Sequence, residues 1–139
     1  MYDENNIFAK ILREEIPCIK VYEDNTTLAF MDIMPQVDGH TLVIPKVAAE
    51  TIFDLPDDDA ANLIQKVKHV ATAVKNGLNA DGIRLVQFNG SAAGQTVPHI
   101  HFHIMPSSNE GLRAHANELA DQSHLKNIAE KIRAGFKKS

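Results

Sequence analysis

The chain has 139 residues, 44% hydrophobic and 23% charged, with a formal net charge of -4. This is the composition of a soluble globular domain with a real core, and its acidic balance argues against nonspecific binding to nucleic acid, which needs a basic surface. No apolar run reaches the length of a membrane span, Met1 to Asn6 lack the basic start and apolar stretch of a signal peptide, and the single cysteine cannot close an internal disulfide, so a cytoplasmic protein is expected.

Ile7, Ile11 and Leu12 carry helical spacing, which predicts a helix over Ile7–Glu15 stopped by Pro17. Cys18, after that proline, reads as small buried filler. Ile19 to Tyr22 alternates as a strand, Glu23-Asp24-Asn25 is a turn, and Thr27 to Asp32 is a second strand. A loop over Pro35–Gly39 leads to a third strand, Thr41 to Ile44, ended by Pro45.

Pro56-Asp57-Asp58-Asp59 opens a long helix, its carboxylates complementing the helix dipole; nothing opposite completes a metal shell. Leu63, Ile64, Val67, Val70, Ala71, Val74 and Leu78 form its apolar stripe, and Gly77 or Gly82 is expected to end it. Ile83 to Phe88 is a fourth strand and His99 to Met105 a fifth. Leu125, Ile128, Ala129 and Ile132 predict a C-terminal amphipathic helix, with Lys137-Lys138 as a solvated tail. With no repeat or linker, residues 1–139 read as one α+β domain: a five-stranded antiparallel sheet, one long helix and short terminal helices.

The chemistry concentrates in His99-Ile100-His101-Phe102-His103-Ile104. A period of two is the side-chain period of a strand, so the three histidines share one face and the apolar residues the other. The histidine face is expected to border a wet cleft. Imidazoles in a row can exchange protons near neutral pH, attack phosphorus or bind metal. Strand residues two apart lie about 6.6 Å apart and those four apart about 13 Å, so one ion would take only two of them plus a distant ligand such as His40. Ahead of the row runs Asn89 to Pro98, rich in small residues. Gly90 and Gly94 would let backbone N–H groups approach a ligand, and Asn89, Gln95 and Thr96 offer polar side chains; beside imidazoles, such donors suit a phosphate.

The run from His99 to Ile104 resembles the signature of the histidine triad (HIT) family. Asn6 to Ile11, Leu28 to Ile33, Gly39 to Lys46, Asn89, and Gly94-Gln95-Thr96 are similar to further segments of that family, so the likeness covers roughly residues 6–106. It is strongest to the Hint-like branch, the nucleoside phosphoramidases. The resemblance implies a HIT-like fold, a homodimer joined through the helix and central strands, and no cofactor. The implied activity is cleavage of the P–N bond of purine nucleoside 5'-phosphoramidates, with AMP or GMP as product. Dinucleoside polyphosphate hydrolysis, a nucleotide-binding scaffold with weak activity, and a zinc-dependent hydrolase are the alternatives.

The roles follow from the same resemblance. His101 would be the nucleophile that forms a nucleotidyl-histidine. His103 and His99 would hold phosphate oxygens and relay protons, with His40 supporting the row. Asn89, Gly94, Gln95 and Thr96 would position phosphate and leaving group. Asp32 would accept hydrogen bonds from the ribose hydroxyls. Ile7, Phe8, Phe30, Met31 and Ile33 would line an apolar base slot. Asn6 and Ala9 stand where some bacterial members carry a zinc-binding Cys-x-x-Cys, so no metal is expected. Residues 106–110 lack the Trp-containing ending of animal members, and 111–139 form a longer, helix-bearing extension. His69, His115 and His124 have no family counterpart and are expected in solvent.

Overall fold

The computed structural model describes residues 1–107 and 119–137, so His115 and most of the segment from 106 to 118 lie outside the description. Helix α1 (Ile7–Leu12) is followed by strands β1 (Lys20–Glu23), β2 (Thr27–Met31) and β3 (Thr41–Pro45), the long helix α2 (Asp57–Leu78), strands β4 (Gly82–Val86) and β5 (Phe102–Ser107), and helix α3 (Gln122–Gly135). The strands form one antiparallel sheet in the order β1-β2-β3-β5-β4. Short 3-10 turns at Ile52–Asp54 and Ser91–Ala93 complete the described structure; neither has a periodic signal in the sequence.

Several boundaries differ from expectation for local reasons. α1 ends at Leu12 because Glu14 adopts a left-handed conformation, with φ of 64°, well before Pro17. Asn6 caps its start by accepting the N–H of Ala9. α2 ends on Asn79, whose φ is 51°; Gly77 lies within the helix and Gly82 opens β4. Gly77 has another task. A Cβ there would sit 2.2 Å from the Lys131 carbonyl oxygen, and one on Gly135 would sit 2.1 Å from the Ala73 carbonyl oxygen. α2 and α3 therefore touch backbone to backbone, and only glycine fits at the crossing. The fifth strand starts late, at Phe102, because His99 to His101 approach β3 without joining its ladder.

The sheet separates two apolar clusters. One holds Ala29, Met31, Val43, Ile100 and Ile104 against the stripe of α2 (Leu63, Val67, Val70, Val74) and the Leu125, Ile128 and Ile132 face of α3. The other packs Leu28, Phe30, Leu42 and Ile44 under Phe8 and Ile11 of α1, with half-buried Cys18 beside it. Alternation along β2 thus sends Phe30 to the α1 side and Met31 to the α2 side. Met31 is core, not base slot. β3 is paired on both edges, so the sheet can be extended by backbone pairing only at its outermost strands, β1 and β4. Ile64 departs from its stripe and is exposed near Leu85 of β4. No helix among the described residues is long and apolar enough to cross a membrane.

Candidate active site

The alternation read from the sequence holds: Ile100 and Ile104 are buried in the α2-side core and Phe102 packs against it, while the histidines face α1. The row is not wet, however. His99 is 0% and His101 4% exposed, because Phe8 of α1 covers them, its ring edge-on to His101 at 4.9 Å and to His99 at 6.4 Å. His103 is half-buried, its ring 5.0 Å from that of His101 and 5.7 Å from that of Phe88. Phe88 is a neighbour that the sequence reading placed only at a strand end.

Backbone partners fix the tautomer of each ring. The carbonyl of His99 lies 2.7 Å from Nδ1 of His101. A carbonyl only accepts, so Nδ1 carries the proton and Nε2 keeps a free lone pair. The Pro45 carbonyl lies 2.8 Å from Nε2 of His99, so that nitrogen carries the proton and Nδ1 accepts from the Tyr2 hydroxyl at 2.6 Å. The N–H of Gln36 donates to Nδ1 of His40 at 3.1 Å, which puts the His40 proton on Nε2, facing Nδ1 of His103 at 2.9 Å. His103 accepts there and presents Nε2–H outward. The result is a lone pair on His101 beside a donor on His103. Burial holds all four rings below the ordinary histidine range, His103 down to about 3, so they stay neutral at neutral pH.

Asp32, just after β2, has Oδ2 at 3.4 Å from Nε2 of His40 and accepts the N–H of Met34 on Oδ1 at 2.8 Å. Asp32, His40 and His103 bring ligand atoms within 4.8 Å of one another. This differs from the sequence-derived metal trio, which drew on two triad members. The surroundings oppose an ion: a ligating imidazole donates its other N–H to an acceptor, whereas Nδ1 of His40 meets the N–H of Gln36. Among the described residues the acidic start of α2 forms no such cluster.

The loop after β4 differs from expectation in one respect. Gly90 and Gly94 do adopt positive φ, 96° and 106°. Yet the loop largely consumes its own donors: Gly94 N–H goes to the Ser91 carbonyl, Gln95 N–H to the Gly90 carbonyl, and Gly90 N–H to Oε1 of Gln95. Nε2 of Gln95 donates to the carbonyls of Glu50 and Val97. Asn89 exchanges hydrogen bonds with Gln87 and accepts the N–H of Ile52 at 2.8 Å. Asn89 and Gln95 brace the loop against residues 50–52 rather than aim at a ligand. Thr96, exposed, makes no hydrogen bond among the described residues and keeps its hydroxyl available. His99, expected on phosphate, has both ring nitrogens occupied within the protein.

Of the apolar candidates, Phe8 and Phe30 meet edge-on at 5.5 Å, and Ile7 and Ile33 are 43% and 44% exposed at the surface. His69 is exposed but lies against the rings of Tyr22 and Phe136. His124 is exposed and pairs with Asp38 at 3.1 Å.

The sequence matches the HIT domain family over residues 13–110. It is 42% identical over 104 residues to the adenosine 5'-monophosphoramidase of Schizosaccharomyces pombe, covering 75% of each chain. It is 37% identical over 120 residues to an adenylylsulfatase of Arabidopsis thaliana, covering 81% of this chain and 61% of the relative. Among solved structures, a Hit-like protein of Bartonella henselae superposes with a TM-score of 0.91 at 47% identity, covering 96% of this chain and 98% of that one.

Proposed function

The chain belongs to the HIT domain family, in its Hint-like branch, and is a histidine triad hydrolase; from that premise we propose that it cleaves the P–N bond of purine nucleoside 5'-phosphoramidates through a nucleotidyl-histidine intermediate. The observation that carries this reading is the free Nε2 lone pair of His101, imposed by the His99 carbonyl, beside the Nε2–H of His103.

Nε2 of His101 attacks the α-phosphorus, a P–N bond to His101 forms, and the P–N bond to the leaving amine breaks. The amine takes a proton from solvent as it leaves, while Nε2–H of His103 stays on a phosphate oxygen and the ring remains neutral. Water then attacks the nucleotidyl-histidine, gives up its proton to solvent and releases the nucleoside monophosphate and neutral His101. Splitting one displacement into two lowers each barrier. His40 donates to Nδ1 of His103 and holds its reactive side outward. His99 acts through its carbonyl and contacts no phosphate. Thr96 and the His103 N–H are the donors for phosphate oxygens, in a loop whose shape Gly94, Asn89 and Gln95 maintain. Asp32 accepts the ribose hydroxyls, and Phe8, Phe30, Ile7 and Ile33 border the base.

An AMP–lysine phosphoramidate, diadenosine triphosphate and adenylyl sulfate, assayed side by side, separate the substrate classes. We expect the phosphoramidate to be turned over at least tenfold faster than the others; a preference for either of the others would assign the triad to that bond instead.

We further propose a homodimer in the cytoplasm. The edge strand β4 with exposed Leu85, and Ile64 of α2 beside it, form an apolar hollow that a second copy would cover. Sedimentation at micromolar concentration should return twice the chain mass; the mass of one chain would contradict it.

A further inference from the structure

We propose that Tyr2 is a positioning residue for His101, acting through the ring and carbonyl of His99. This rests on the hydrolase reading above. His101 is a useful nucleophile only while its Nδ1–H stays on the His99 carbonyl, because that bond selects the tautomer with a free Nε2 and sets the plane of the ring. The sheet does not hold that carbonyl. Pairing of β3 with β5 begins at Val43 and Phe102, three residues after His99.

Four bonds hold the His99 region instead. Its N–H donates to the Val97 carbonyl at 2.9 Å, and the N–H of Ile100 donates to the Ala49 carbonyl at 2.9 Å. These restrain the chain but leave the His99 side chain free to rotate. The ring is fixed by Nε2–H on the Pro45 carbonyl and by the Tyr2 hydroxyl on Nδ1. With Nε2 committed as donor to Pro45, Nδ1 needs a donor of its own. Within the fully buried setting of His99, Tyr2 supplies it, its ring standing edge-on at 5.7 Å and 71°. Phe8 then packs against His99 and His101 together, so a turn of one ring disturbs the other. The path is Tyr2 hydroxyl, His99 ring, His99 carbonyl, His101 Nδ1. Tyr2 has no hydrogen bond to His101 and moves no proton in the reaction.

Tyr2→Phe keeps the ring and removes only the donor, so fold and packing are retained. The expected result on the AMP–lysine phosphoramidate is a fall in kcat of about tenfold, the scale of a slight misplacement of a reacting group, with KM within about twofold because Asp32, Phe30 and the loop are untouched. A readout that packing alone would not move comes from nitrogen-15 NMR of the histidine side chains. In the wild type the His101 Nδ1 proton should be a downfield, slowly exchanging signal. In Tyr2→Phe it should exchange faster or split into two tautomers, while thermal stability shifts by only a few degrees. An unchanged His101 signal overturns the proposal whatever the activity, and so does a changed signal with wild-type kcat. If the wild type turns over none of the three nucleotides, the functional reading fails, and the NMR comparison alone decides whether Tyr2 sets the His101 tautomer.

Discussion

Replacing His101 by alanine should lower turnover of the phosphoramidate by roughly three orders of magnitude or more, as loss of a nucleophile commonly does. The change removes the only triad nitrogen whose lone pair is not already claimed by the protein. Nε2 of His99 and Nε2 of His40 carry protons set by Pro45 and Gln36, and Nδ1 of His103 accepts from His40. No neighbour can take over the attack without breaking a buried hydrogen bond. AMP should still bind, since Asp32, Thr96 and the apolar residues remain. Folding should survive at a cost of about 1–3 kcal/mol, because the His99 carbonyl loses its donor and Phe8 loses a packing partner. Activity within tenfold of wild type, measured under single-turnover conditions, would mean that another group attacks phosphorus.

Acid should destabilise the protein before most of its carboxylates titrate. His40, His99, His101 and His103 are all held below the ordinary histidine range of about 6.5 by burial, with His103 down to about 3. In the unfolded chain the same groups protonate near 6.5. Below that pH the unfolded state binds protons that the native state refuses, so stability is complete above about pH 6.5 and is lost as pH falls. Each group adds a slope of up to about 1.4 kcal/mol per pH unit. Between pH 7.5 and 5.5 His103 alone therefore removes about 1.4 kcal/mol and the other three rings act in the same direction, against a typical domain's total of about 5–15 kcal/mol. Urea titrations at pH 7.5 and 5.5 should show the midpoint falling steeply. In His103→Gln the profile should be shallower by about one proton. Equal midpoints at the two pH values would mean that the native rings accept protons, and the neutral tautomer network would be wrong.

The parts of this molecule that follow a period were legible in the sequence. The alternation from His99 to Ile104 gave the triad its face, the stripe of α2 points inward apart from Ile64, and the sheet has the five antiparallel strands expected, though their order was not legible. What could not be read depends on partners far away in the chain. The burial of the triad comes from Phe8, some ninety residues earlier. The tautomers come from the carbonyl of Pro45, the N–H of Gln36 and the hydroxyl of Tyr2, none of which carries a sequence signal for such a role. Asn89 and Gln95 have the composition of ligands, but which amide faces inward depends on how close residues 50–52 pass. Gly77 looked like a helix end until its contact with Lys131 showed why a glycine is needed inside the helix. Met31 and Phe30 are equally apolar neighbours, and only the phase of β2 sends one into the α2-side cluster and the other into the α1-side cluster.

In the proposed mechanism His101 forms a covalent bond to phosphorus. Intact-mass spectrometry of a rapidly quenched reaction with the AMP–lysine phosphoramidate tests it most directly. The wild type should carry a single adenylyl adduct that maps to His101, while His101→Ala should carry none although it binds AMP. An adduct that persists in His101→Ala, or its absence from the wild type during rapid turnover, would contradict the account.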